Sequence, residues 1–178
     1  MEPPTRVFVA CDVANLVRSC RRQFGDNARI DFGLLSTVVP ALMHPRLVQQ
    51  TLIAYVVMHE RTKPANEVFR KALGHYGFRV RARDMVYAKV LKTEVKQPTN
   101  TDWDVGITID AIHHMPEYDL FVLMSGDGDF AMLLDYLRRY GKETMVFSFD
   151  NSLSRTLHRA ADKVVQLTQA VVTYKERV

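Results

Sequence analysis

Two stretches constrain this chain more than any others: Val7-Phe-Val-Ala-Cys-Asp-Val-Ala-Asn15 and Phe121-Val-Leu-Met-Ser-Gly-Asp-Gly-Asp-Phe130. Each is an apolar run of strand length that stops abruptly at carboxylates. A continuous apolar run, rather than an alternating one, marks a strand buried on both faces, as in a parallel α/β sheet. Ligand crevices in such sheets lie outside the carboxyl ends of the strands. If the two strands are neighbours, Asp12, Asp127 and Asp129 meet at one spot. Carboxylates brought together repel and raise one another's pKa unless a cation sits among them. Their hard oxygen donors suit Mg²⁺ or Mn²⁺.

The remaining sequence supplies partners for those strands. Residues 51–58, 120–124, 144–147 and 164–167 are apolar and β-branched and read as further strands, and 78–83 alternates as a strand with one basic face. Helical spacing or capping signals place helices over about 15–24, 31–43, 64–77, 102–115, 130–140 and 152–161, with Asp31 an N-cap and Pro40 kinking or ending its helix. Residues 85–90 extend the basic strand as a hairpin arm, and 92–101, polar and holding Pro98, read as a loop. Strands alternating with helices imply a right-handed, mostly parallel sheet with helices on both faces. One domain is expected: a loose leader over 1–5, a folded unit over 6–167 and a helical extension over 168–178.

Composition excludes more than it selects. With 47% hydrophobic and 25% charged residues the chain is an ordinary globular one. Its net charge of +4 is compatible with a polyanionic partner and does not require one. Cys11 and Cys20 form no Cys-x-x-Cys pair, which fits a reducing compartment. The N-terminal Met-Glu-Pro-Pro-Thr-Arg is no signal peptide, and no apolar run approaches the ~20 residues of a membrane span. A cytoplasmic protein without a membrane partner is expected.

Each acidic motif has a bland alternative. Asp12 either caps the helix that follows it or holds a cation, with Asn15 as a second ligand or an amide that orients water. Ser125-Gly-Asp-Gly-Asp129 is either a plain turn or a loop whose glycines admit a ligand closely. An EF-hand is excluded because the twelfth position from Asp127 is Arg138, and Gly141-Lys142-Glu143 is no Walker A loop. Asp102 and Asp104 open a helix, where the dipole alone favours acids, and Asp110 lies around that helix on another face. Asn15, Arg18 and Arg22 share a helix face, and Arg79, Arg81 and Arg83 share a strand face. Either set could track a phosphate backbone, and the second could equally protect a sheet edge.

Taken together, Asp12-x-x-Asn15 after an opening strand, Asp104 at a helix start and Ser125-Gly-Asp-Gly-Asp-Phe130 after a later strand resemble the NYN domain, in its LabA-like branch, a relative of PIN-domain nucleases. Gly141-Lys142 and the run from Ser154 through Leu157 to Ala161-Asp162 continue the likeness, which covers roughly 6–167. The resemblance implies a three-layer PIN-like Rossmannoid α/β fold, an Mg²⁺ or Mn²⁺ site and ribonuclease activity on single-stranded RNA or other nucleic acid. It implies that Asp12, Asp104, Asp127 and Asp129 serve as metal-binding, catalytic acids. Substrate contacts would come from Asn15, Arg18, Arg22 and Ser125. A non-catalytic RNA- or nucleotide-binding module on the same fold stands as the alternative, and a homodimer is allowed. A phosphomonoesterase of the haloacid-dehalogenase type needs Asp-x-Asp after the first strand, where this chain has Ala14.

Overall fold

The computed structural model describes residues 5–43, 46–58, 63–84, 86–89, 96–99 and 102–175. In chain order these form β1 (Thr5–Asp12), α1 (Val13–Phe24), β2 (Ala28–Ile30), α2 (Phe32–Met43), β3 (Leu47–Met58), α3 (Lys63–His75), β4 (Arg79–Asp84), β5 (Val86–Lys89) and β6 (Lys96–Thr99). The second part adds α4 (Asp104–His113), β7 (Leu120–Met124), α5 (Ala131–Arg139), β8 (Glu143–Phe149), α6 (Arg155–Ala160), β9 (Lys163–Leu167) and β10 (Val172–Tyr174).

The two apolar runs are buried on both faces because they lie side by side in the middle of a six-stranded parallel sheet, ordered β4-β3-β1-β7-β8-β9. Alternate residues of β1 serve opposite layers. Val7, Val9 and Cys11 pack with Leu16, Leu35, Val39 and Leu73 from α1, α2 and α3. Phe8 and Ala10 pack with Ile107, Ala111, Leu134, Leu137 and Leu157 from α4, α5 and α6. The fold is therefore the three-layer α/β arrangement expected. Cys11 and Cys20 are both buried free thiols. Among the described residues no helix is long and apolar enough to cross a membrane.

From β1 the chain runs outward to β3 and β4 on one side, then returns to build β7, β8 and β9 on the other. The reversal falls between β1 and β7, the switch point at which such sheets open a crevice. Register then fixes the chemistry: Cys11 lies opposite Met124, so Asp12 and Ser125 leave the sheet side by side.

The amino ends of the same strands are tied together. Asp119 Oδ2 accepts from the Arg6 backbone N–H at 2.9 Å and from Nε at 3.1 Å, while Oδ1 accepts from Nη2 at 2.8 Å. That arginine holds the Asp119 carboxyl down at about 2. Asp162 Oδ2 accepts from Thr144 N at 2.9 Å and Thr144 Oγ1 at 2.8 Å, and its Oδ1 sits 2.9 Å from Arg138 Nε.

Two expectations need correction, and one pair of alternatives is decided. Within the stretch read as a loop, Lys96–Thr99 is a strand paired antiparallel with Val86–Lys89, with Pro98 opposite Tyr87. A two-stranded ribbon is held by main-chain hydrogen bonds, which leave no apolar periodicity to read, and an edge strand tolerates proline. Residues 85, 90, 92–95, 100 and 101 of those two readings lie outside the described residues. The extension expected to be helical is instead a single 3-10 turn, Gln169–Val171, followed by β10, which pairs antiparallel with β2. Val171-Val-Thr-Tyr174 is β-branched and aromatic, a composition that favours a sheet. Pro40 lies within α2, which continues to Met43. Residues 1–4 of the leader and 176–178 also lie outside the described residues.

Candidate metal and nucleic-acid site

Asp12 is the last residue of β1 and stands only 6 % exposed. Its Oδ1 accepts from Asn15 N at 3.1 Å and so caps α1, while its Oδ2 accepts from Ser125 Oγ at 3.1 Å. One oxygen thus does the capping that the sequence allowed, and the other ties β1 to the end of β7. Burial, the largest cause, pushes its pKa up; the two hydrogen bonds and Arg18 pull it down, and Asp127 adds to the rise. The influence of Arg18 puts that exposed guanidinium within electrostatic reach of Asp12, and Arg22 is exposed one turn farther along the same helix.

Ser125 and Asn15 act as braces. Ser125 is fully buried; its hydroxyl donates to Asp12 and accepts from Asp127 N at 3.3 Å. Asn15 Oδ1 accepts from Gly126 N at 3.1 Å and staples the two strand-end loops together. In this arrangement Ser125 orients acids rather than facing a substrate.

The Gly126-Asp-Gly-Asp129 loop follows β7. A Cβ on Gly126 would collide with the Ser152 carbonyl, and one on Gly128 would come within 2.6 Å of Ser154 Oγ. Close approach of the loop after β8 is therefore what demands glycine at both places. Asp127 Oδ1 accepts from Asp129 N at 3.1 Å and starts a 3-10 turn, Gly128–Phe130, while Asp129 is exposed.

Asp104 arrives from the opposite layer, in the first turn of α4, where no side chain caps the helix. Burial and then the charges of Asp102, Asp12, Asp127 and Asp129 raise its pKa to about 6. The structure therefore brings all four expected acids into one electrostatic neighbourhood. Among the described residues none of them has a cationic ion-pair partner. Nor are any three acid, histidine or cysteine side chains close enough together to grip one ion as they stand. The donor chemistry fits a hard divalent cation, and like charges stand apart without one between them.

The Asp104 helix is held by residues that sequence assigned elsewhere. Trp103 Nε1 donates to Val56 O at 3.0 Å, and its ring meets Tyr55 edge-on at 5.5 Å. The Arg83 guanidinium lies 4.9 Å from the centre of the Trp103 ring and 3.7 Å from Asp102. Asp110, 4 % exposed, accepts from Tyr55 Oη at 2.8 Å and pairs with Arg81 Nε at 3.0 Å. Arg81 and Arg83, on edge strand β4, thus bind α4 to the sheet. Of that basic face only Arg79, exposed, has no partner among the described residues. Alternation showed the face but could not show which helix would cover it.

A parallel α/β sheet with a cluster of acids at its switch point is the arrangement of PIN-like nuclease folds. The chain belongs to the NYN domain family, whose pattern matches residues 6–168. It is 31% identical over 99 residues to the low amplitude and bright protein LabA of Synechococcus elongatus, a likeness that supports the LabA-like branch. That match takes in 56% of this chain and 53% of LabA, so it spans about half the length of that relative. The crystal structure of a protein of unknown function, VPA0982, from Vibrio parahaemolyticus superposes with a TM-score of 0.78 at 26% identity, covering 97% of this chain and 99% of that one.

Proposed function

We propose that this protein is a divalent-metal-dependent ribonuclease that hydrolyses phosphodiester bonds in single-stranded RNA. The observation that carries the reading is the convergence of Asp12, Asp104, Asp127 and Asp129 with no ion-pair partner among the described residues. A site that repels itself is completed by an ion from outside, and family membership suggests RNA as the partner. Mg²⁺ or Mn²⁺ held there supplies stabilisation of phosphoryl charge and a more acidic bound water. The protein's own part is positional. Ser125 and Asn15 fix Asp12 against the Asp127 loop, Trp103 and Asp110 fix the helix that presents Asp104, and Arg18 and Arg22 attract the phosphate backbone.

The test incubates purified protein with labelled single-stranded RNA in Mn²⁺, Mg²⁺ or EDTA, beside Asp12→Asn and Asp127→Asn. Calorimetric titration with Mn²⁺ reports the site independently of turnover. Cleavage that needs metal and disappears in both variants, together with weakened Mn²⁺ binding, is the expected result. Cleavage that survives both substitutions removes these acids from the mechanism. The separation of the acids, with no three poised around one point, favours a second reading: an RNA-binding module that does not turn over. Salt-sensitive binding with no cleavage under any metal would select it.

A further inference from the structure

Beside the acids lies a second feature that the proposed mechanism does not use. The turn Asp150–Ser152 and helix α6 border an open cleft of about 260 Å³ lined by Asp150, Leu153, Arg155, His158 and Arg159. Arg155, His158 and Arg159 stand at i, i+3 and i+4 and so share one helix face. All three side chains are exposed, and among the described residues none of these side chains has a hydrogen-bond or ion-pair partner. Helix energetics account for His158 and Arg159, which are in the last turn. They do not account for Arg155, which opens the helix at the end where a cation is disfavoured. The turn and helix that line the cleft also pack against the loop that carries Asp127 and Asp129. Ser154 N donates to Gly126 O at 2.9 Å, and Gly128 fits against Ser154 and Thr156. Asn151 Nδ2 donates to Ser19 O at 3.1 Å, tying the same turn to the helix that carries Arg18.

We propose that this cleft is a nucleotide subsite that takes the sugar-phosphate backbone of single-stranded RNA next to the acid cluster. Arg155 and Arg159 hold phosphate oxygens, which guanidinium forks match in geometry. Leu153 and the His158 ring give an apolar and stacking surface for a base. Asp150, the one acid of the lining, is an acceptor for a ribose hydroxyl rather than a phosphate ligand. The volume is at the small end for ligand pockets, which suits one unit of a chain rather than a whole free ligand. The proposal rests on reading the acid cluster as an RNA site.

Fluorescence anisotropy of a labelled oligouridine in EDTA, repeated across a salt series, tests it without requiring turnover. Two phosphate contacts on a single strand contribute about 1.4 to the slope of log affinity against log salt, at ~0.7 each. The Arg155→Gln/Arg159→Gln double variant is expected to lose about that much slope, and the double lysine variant to keep it. Lys71→Gln, on α3 in the opposite helix layer, is expected to keep the wild-type slope. Circular dichroism melts check that all variants are folded. An unchanged slope in the glutamine pair, or an equal loss in Lys71→Gln, overturns the subsite. A protein that never cleaves yet loses slope in the glutamine pair keeps the subsite and loses the nuclease. One that cleaves normally with an unchanged slope does the reverse.

Discussion

The two ends of the central sheet treat their carboxylates in opposite ways. At the amino ends, Asp119 and Asp162 each meet an arginine as well as main-chain or hydroxyl donors. At the carboxyl ends, Asp12 and Asp127 receive only N–H groups and the Ser125 hydroxyl, and among the described residues none of the four acids there forms an ion pair, Arg18 acting on Asp12 only from a distance. The same side chain thus does two jobs. A carboxylate paired inside the fold ties strands together, whereas one left among its own kind costs stability and, on the proposed reading, is there for a cation. Asp110 refines the contrast: it lies on the same helix as Asp104, yet Tyr55 and Arg81 neutralise it, and it supports the site rather than joining it.

Three experiments sharpen the contrast. The largest change in stability is expected at the amino end. Asp162→Ala removes the acceptor of both the N–H and the hydroxyl of buried Thr144 and should cost about 1–3 kcal/mol. A lower urea midpoint with an unchanged slope is the signature, and an unchanged midpoint would show that solvent replaces those bonds. At the carboxyl end the sign reverses. An acid whose folded pKa is raised lowers stability above that pKa and has no such effect once it is protonated in both states. Asp104, raised to about 6, therefore opposes folding at neutral pH. Asp104→Asn should stabilise the metal-free protein at pH 7 by about 1 kcal/mol, after discounting for solvent screening. The gain should fade as pH drops from 6 to below 4, and a melting temperature that falls at pH 7 would contradict it.

The smallest effect belongs to Asp119. Its folded pKa of about 2 lies below the ordinary carboxylate value, so its contribution is complete above about pH 4 and lost as pH falls toward 2. Both partners are about two-fifths exposed, at 40% and 43%, which keeps the contribution small. Melting temperatures of wild type and Asp119→Asn should differ at pH 5 and converge near pH 2. Parallel curves would mean that the pair adds nothing specific.

Sequence carried the central sheet and the acid cluster because both depend on local signals: an unbroken apolar run, and the residues at its end. It carried much less where structure depends on distant partners. Ala28–Ile30 is too short to announce itself as a strand and exists because residues 172–174 pair with it. Arg81 and Arg83 looked free because their partners, Asp110, Asp102 and Trp103, follow in a later element. Ser125 looked like a substrate contact because spacing cannot show that its hydroxyl is buried between the Asp12 carboxylate and the Asp127 main-chain N–H. The α6 cluster could have been found at i, i+3 and i+4, but only the cleft beside it distinguishes it from an ordinary solvated face.

The strand order has a consequence for the chain as it is being made. β1 is translated first, yet it ends up between β3 and β7. Residues up to Met58 can supply its partner on one side, while the other edge has none until residues 120–124 leave the ribosome. At 5–20 residues per second that interval is on the order of 3–13 seconds. Throughout it, a largely apolar strand presents a full row of unpaired backbone groups beside nascent chains of its own kind. A strand paired on both edges in the finished protein is thus a vulnerable one during synthesis.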